Sequence, residues 1–177
     1  DAGAAFLDDA LRAQDGAHSG VLLLFGPSGC GRSFALAQMA RQADLRACEI
    51  DIEALSGDTS GELLRRFALR CLLDGCIPCL NHIPVDDAAG RALALRALRQ
   101  LQPFFSVVVL SADKPWDLPH EAGTDFQSVE LPLPDVRERH ALWEYFGREA
   151  GVAFSESDLD ALAGRYRLSA AEIRTLS

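Results

Sequence analysis

The chain has 177 residues, 49% of them apolar and 24% charged, proportions of a soluble globular protein of one domain or of an α/β domain with a small appendage. A net charge of −9 with no basic block excludes an extended nucleic-acid surface. No apolar run approaches the roughly 20 residues of a membrane span, and no signal peptide is read at the start, so a cytoplasmic protein with no membrane or nucleic-acid partner is expected.

Ala5, Leu7, Ala10 and Leu11 recur at helical spacing over residues 4–14, and Asp15-Gly16 closes that helix. The apolar run Val21–Phe25 predicts a short buried strand. After it comes Gly26-Pro27-Ser28-Gly29-Cys30-Gly31-Arg32-Ser33, and then a helix-compatible run from Ser33 to Gln42. Strand, glycine-rich loop and helix in that order form the context of a phosphate-binding loop, whose pattern is G-x-x-x-x-G-K-[ST]. Every fixed position matches except one, where Arg32 stands for lysine. In such a loop the glycines let backbone N–H groups turn inward at the positive end of a helix.

Leu45–Asp51 reads as a second strand. Thr59-x-x-Glu62 reads as a capping box opening a helix with Leu64, Phe67, Ala68 and Cys71 on its inner side. Gly75 ends that helix, and Cys76–Leu80 reads as a third strand, in which Pro78 lacks a ladder donor. Asp86 or Asp87 caps a helix reaching about Gln102. Phe104–Leu110 reads as a wholly apolar fourth strand, suited to the middle of a parallel sheet, and Phe126–Leu131 as a fifth. After Pro134 only helices are predicted, opened by Asp135-x-x-Glu138, Ser155-x-x-Asp158 and Ser169-x-x-Glu172. Their inner faces are read as Ala141, Leu142, Tyr145 and Phe146; then Leu159, Leu162, Ala163 and Tyr166; then Ile173 and Leu176. Strands alternating with helices make a three-layer α/β sheet, with a small helical bundle at its end as a lid.

The five cysteines, with no secretory signal, suggest reduced thiols in a cytosol. Cys76-x-x-Cys79 followed by His82 has zinc-like spacing, but residues three apart on a strand face opposite ways, so core thiols are the better reading. The start at Asp1 and the stop soon after Ser169 suggest a piece of a longer polypeptide.

Four segments in this order resemble the AAA+ ATPases: the loop Gly26–Ser33 (Walker A), the run Val107–Leu118 (fourth strand and sensor 1), Leu131–Arg139 (start of the helical lid) and Leu168–Arg174 (last lid helix). The resemblance implies a P-loop NTPase fold with a parallel five-stranded sheet in order 5-1-4-3-2. It divides the chain into a nucleotide-binding domain, residues 1–132, and a lid, residues 133–177.

The resemblance also locates the catalytic stations, and each is altered. Where the family ends its third strand in Asp-Glu, this chain has Asn81-His82. Asn81 brings no charge to Mg²⁺, and His82 stands where a carboxylate polarises the attacking water. Sensor 1 falls near Asp113, a carboxylate that would repel a γ-phosphate. Residues 115–131, where the family carries its arginine fingers, contain no arginine. Sensor 2 is not assigned, with Arg167 and Arg174 nearby. Arg32 is either a surface arginine pointing away or a broad substitute for lysine at a tight site.

No catalytic residue is therefore intact. Gly26, Pro27, Ser28, Gly29, Cys30, Gly31, Arg32 and Ser33 are the expected nucleotide contacts. ATP or ADP is expected to bind weakly, and Mg²⁺ is not expected to be held well, since only Ser33 remains to touch it. The resemblance implies a non-hydrolysing domain with an assembly role beside other AAA+ domains, in its own or neighbouring chains. The alternatives are an ATPase using Arg32, His82 and a carboxylate such as Asp51 or Asp113, and a different P-loop class such as a kinase. Arg91, Arg96 and Arg99 form either a partner-binding face or a solvated one.

Overall fold

The computed structural model describes residues 2–12, 19–118 and 124–177. The elements are α1 (Ala2–Arg12), β1 (Ser19–Phe25), α2 (Arg32–Gln42), β2 (Arg46–Asp51), α3 (Glu62–Asp74), β3 (Cys76–Ile83), α4 (Ala88–Leu101), β4 (Val107–Ala112), β5 (Thr124–Glu130), α5 (Val136–Glu149), α6 (Glu156–Arg165) and α7 (Ala170–Leu176). Short 3-10 turns cover Ile52–Leu55 and Gln102–Phe104. The expected helix stop at Asp15-Gly16 lies outside the described residues.

The five strands form one sheet in the order β2-β3-β4-β1-β5, with every neighbouring pair parallel. This is the expected order read from the other edge. β1 and β4 are central, which explains their composition: Val21–Leu24 and Val107–Leu110 are buried throughout because both sheet faces are covered. Val21 and Leu23, with Val108 and Leu110, pack in one core with Leu64, Phe67 and Cys71 of α3 and Ala94, Leu98 and Leu101 of α4. α1 contacts β1 and β5. It approaches so closely that a Cβ on Gly20 would stand 3.0 Å from the Ala10 Cβ.

Four readings are corrected. β4 starts at Val107 rather than Phe104, because Pro103 sits in a 3-10 turn that carries Phe104 out to 63% exposure. β3 continues past Leu80 through Asn81 and His82 to Ile83, with an irregularity in its pairing to β4 between Leu80 and Ile83. The Thr59 capping box does not form. Gly61 is the N-cap of α3 and offers no side chain. Asp58 takes the role instead, accepting from the N–H groups of Glu62, Leu63 and Leu64 at 3.0, 2.9 and 3.2 Å. Between Asp86 and Asp87, the cap of α4 is Asp87, bonded to the N–H groups of Ala89 and Gly90. Pro78 lies opposite Cys48 of β2, ahead of the first β3–β4 pair, Cys79 with Val109.

The fourth correction concerns the C-terminal helices. Asp135, Ser155 and Ser169 each form a complete capping box, as expected. The inner face of α5, however, is turned from the expected one. Trp143 is buried, Leu142 and Phe146 are packed against it, and Tyr145 is 62% exposed. Trp143 meets Phe154 edge-on, at 6.0 Å between ring centroids, in a core with Leu159 and Ile173. Tyr166 and Leu176, expected inside, are exposed. Arg139 is buried and ties the helices together, its Nε donating to the Ala163 carbonyl at 2.9 Å and its Nη1 to that of Pro134 at 2.7 Å.

The chain divides into two compact units. One holds Asp1–Phe25 and Ser33–Glu130; the other holds Gly26–Arg32 and Leu131–Ser177.

Candidate nucleotide site

Between Phe25 and α2 the chain turns through the glycine-rich loop. Gly29 and Gly31 have φ of +80° and +100°, a region side chains with a Cβ resist. Gly29 is also confined by space, since a Cβ there would stand 2.4 Å from the Ser169 Oγ. A Cβ on Gly31 would meet nothing within 4 Å, so that side of the loop is open. The Cys30 N–H donates to the Pro27 carbonyl at 3.1 Å and closes the turn. Because α2 begins at Arg32, the loop lies at a helix N-terminus, whose first N–H groups have no intrahelical acceptor. An open, positively polarised loop of this shape fits a phosphate group.

Arg32 is only 9% exposed, and its Nη1 donates to the Gly26 carbonyl. The surface reading is thereby corrected. The guanidinium folds back and closes its own loop, as a broad fork with several donors can and a point-like ammonium does less readily.

Beyond the loop, Ser33 belongs to a second cluster at the ends of β2 and β3. The Glu49 Oε2 accepts from the Ser33 Oγ at 2.9 Å and from the Asn81 Nδ2 at 2.8 Å. Glu49 was not expected. Its signal in the sequence is slight: it stands two residues before Asp51, on the same face of β2. The Asn81 Oδ1 accepts from the His82 N–H at 2.9 Å, so this one side chain links Glu49 to His82. His82 has φ of +55°, unusual for a residue with a Cβ.

The His82 Nδ1 lies 2.7 Å from the Asp51 Oδ2, and the Asp51 Oδ1 accepts from the Glu53 N–H at 2.9 Å. Partial burial pushes the Asp51 carboxyl up, but the Glu53 N–H and the His82 ring outweigh it and hold the group below its ordinary value. A carboxylate facing Nδ1 favours a ring that donates from Nδ1. Asp51 and His82 line a cleft of about 860 Å³ with Asp87 and Arg96.

The structure thus joins Ser33 to Asn81 through Glu49, and His82 to Asp51. Asp113 is exposed just past the end of β4, beside Lys114, whose ammonium pairs with Asp86. Arg167 and Arg174 are exposed. Arg91 donates to the Val85 carbonyl, while Arg96 and Arg99 are exposed on α4. Cys79 is buried and Cys76 half-buried, and none of the five cysteines is joined in a disulfide. Among the described residues, no three His, Cys, Asp or Glu side chains are grouped to hold a metal, and no helix is long and apolar enough to cross a membrane.

The sheet order, the loop after β1 and the C-terminal helices define an α/β fold of the AAA type. No protein-family model and no curated protein matches the sequence. Solved structures do match, among them the crystal structure of the FIGL-1 AAA domain in complex with ADP, with 20% identity and a TM-score of 0.67. The match covers 94% of this chain but only 60% of that one. At this identity the likeness is one of fold, and a fold shared by 551 matching chains does not by itself specify chemistry.

Proposed function

We propose that this chain is a nucleoside-phosphate-binding domain that binds weakly, does not turn over ATP, and serves as an assembly piece of a larger AAA+ protein. The observation that carries this reading is the Arg32–Gly26 hydrogen bond. The only strongly basic side chain of the loop is spent on the loop itself, while the backbone groups that attract phosphate remain. The ADP bound to the FIGL-1 AAA domain is consistent with such a site.

The absence of turnover follows from magnitudes. An arginine finger contributes roughly 10³–10⁵ in rate, and a positioned general base roughly 10²–10⁴. Although such factors are not strictly additive, losing both leaves a turnover of about 10 s⁻¹ lower by roughly 10⁵. The oriented imidazole of His82 favours the alternative of a non-standard ATPase, but neither the finger nor an outward-reaching lysine accompanies it. An assembly role is supported by α3, where Leu69, Leu72 and Leu73 share a stripe and are 56%, 48% and 76% exposed. The test is phosphate release from ATP with Mg²⁺. The purified chain should show only background; release abolished by His82→Ala would overturn the reading.

A further inference from the structure

The end of β3 lacks the carboxylate a nucleotide-borne cation needs, yet a carboxylate is present beside it. We infer that Glu49, on the neighbouring strand, supplies the anionic oxygen of a divalent-cation site with the Ser33 hydroxyl, and that Asn81 is the residue that positions it. This rests on the proposed nucleotide reading only for the phosphate oxygens that complete the shell.

Three features of the geometry support it. The Ser33 Oγ–H points at Glu49 at 2.9 Å, so the hydroxyl's lone pairs face away from the carboxylate and are available to a cation. The Glu49 Oε2 accepts two hydrogen bonds, while Oε1 accepts none among the described residues. The carboxylate is thus held by one oxygen and open at the other. The Asn81 amide donates at 2.8 Å from the strand end where the cation's acid was expected. An asparagine there cannot bind the ion through charge, but it can steer a carboxylate arriving from β2.

The chemistry selects the ion. Hydroxyl and carboxylate oxygens are hard ligands, and Mg²⁺ or Mn²⁺ is typically held by one or two carboxylates, waters and the substrate's phosphates rather than by a full protein cage.

The experiment has two arms on the 177-residue chain. In the first, Mn²⁺ alone is titrated and followed by electron paramagnetic resonance, with no nucleotide present. The wild type should bind weakly, Glu49→Gln about 10–100-fold more weakly, and Asn81→Asp, which adds a second carboxylate, more tightly. Glu49→Gln keeps the shape of an exposed side chain and should melt with the wild type. If it does not, Asn81→Asp decides alone: unchanged or weaker Mn²⁺ binding overturns the inference. Wild-type affinity in a folded Glu49→Gln, or no bound Mn²⁺ in the wild type, also overturns it. In the second arm, ADP and ATP are titrated calorimetrically with Mg²⁺ or with EDTA. Wild type should bind more tightly with Mg²⁺, and Glu49→Gln should lose that gain while keeping the affinity seen in EDTA. Mn²⁺ bound through Glu49 without any nucleotide binding would sink the nucleotide reading and leave the cation site standing.

Discussion

The Arg32 guanidinium donates to the carbonyl of Gly26, six residues earlier in the same loop. The one strongly basic side chain of the loop is therefore already engaged. Replacing it by lysine removes the fork that reaches back and leaves an ammonium free to extend. A charge-assisted hydrogen bond contributes about 1.5–3 kcal/mol, so Arg32→Lys should tighten ADP binding about tenfold or more by calorimetry. Phosphate release should stay at background, since no base or finger is restored. Looser binding would mean that Arg32 already reads the phosphate.

In the C-terminal helices, Trp143 rather than Tyr145 anchors the core. Trp143→Ala should cost about 3–5 kcal/mol, and Tyr145→Ala much less, by urea denaturation followed by circular dichroism. The Trp143 Nε1–H is buried without a hydrogen-bond partner among the described residues. Trp143→Phe removes that unsatisfied donor and should cost only about 1 kcal/mol, because the relief of a buried donor offsets part of the lost packing. Equal losses for Phe and Ala would contradict this.

Cys71 gives a pH signature. Burial above all, then the neighbouring Cys48 and Cys76 thiols and the Asp74 carboxylate, push its thiol from 9.0 up to about 12. The unfolded chain releases this proton near pH 9 and the folded chain only near 12. The stability contributed is therefore complete below pH 9 and is lost as pH rises between those values. Urea midpoints should fall across that window, and less steeply in Cys71→Ala. At pH 8, iodoacetamide should modify the half-buried Cys48 and Cys76 long before Cys71. Early modification of Cys71 would refute its burial.

The start of α3 separates two neighbouring residues. Asp58→Ala should lower stability, because the N–H groups of Leu63 and Leu64 lose their acceptor and that of Glu62 keeps only the Ser60 hydroxyl, whereas Thr59→Ala should be near neutral. Hydrogen exchange at Glu62, Leu63 and Leu64 reads the difference directly. A larger effect from Thr59 would restore the sequence-derived cap.

On α3 itself, Leu69→Asp and Leu73→Asp should leave the melting temperature nearly unchanged, because both side chains are exposed. In the proposed assembly they should weaken association, measured by sedimentation of the full-length protein. Unaltered association would place the interface elsewhere.

These cases show what was legible in the chain and what was not. The loop Gly26–Ser33 was legible because its glycines answer to backbone angles that local sequence alone specifies. β1 and β4 were legible because burial on both faces makes them continuously apolar. Asp58 was missed because Asp58, Thr59 and Ser60 all stand within reach of the same N–H groups, and spacing does not decide which acceptor wins. The face of α5 depends on α6 and α7, so Tyr145 and Trp143 were equally plausible at helical spacing. Glu49 was least legible of all: Ser33 and Asn81 lie 16 and 32 residues away along the chain, the register of β2 on β3 sets Glu49 near Asn81, and the start of α2 brings Ser33 to the same carboxylate.

The strand order has a consequence for the chain as it leaves the ribosome. β1, the most apolar strand with β4, is flanked only by β4 and β5, both made much later. At roughly 5–20 residues per second, β1 waits on the order of ten seconds with both edges open, while β2 and β3 can already pair. During that interval Val21–Leu24 is a sticky, unpaired segment, and chains stalled before Val107 are the ones that should need chaperone cover.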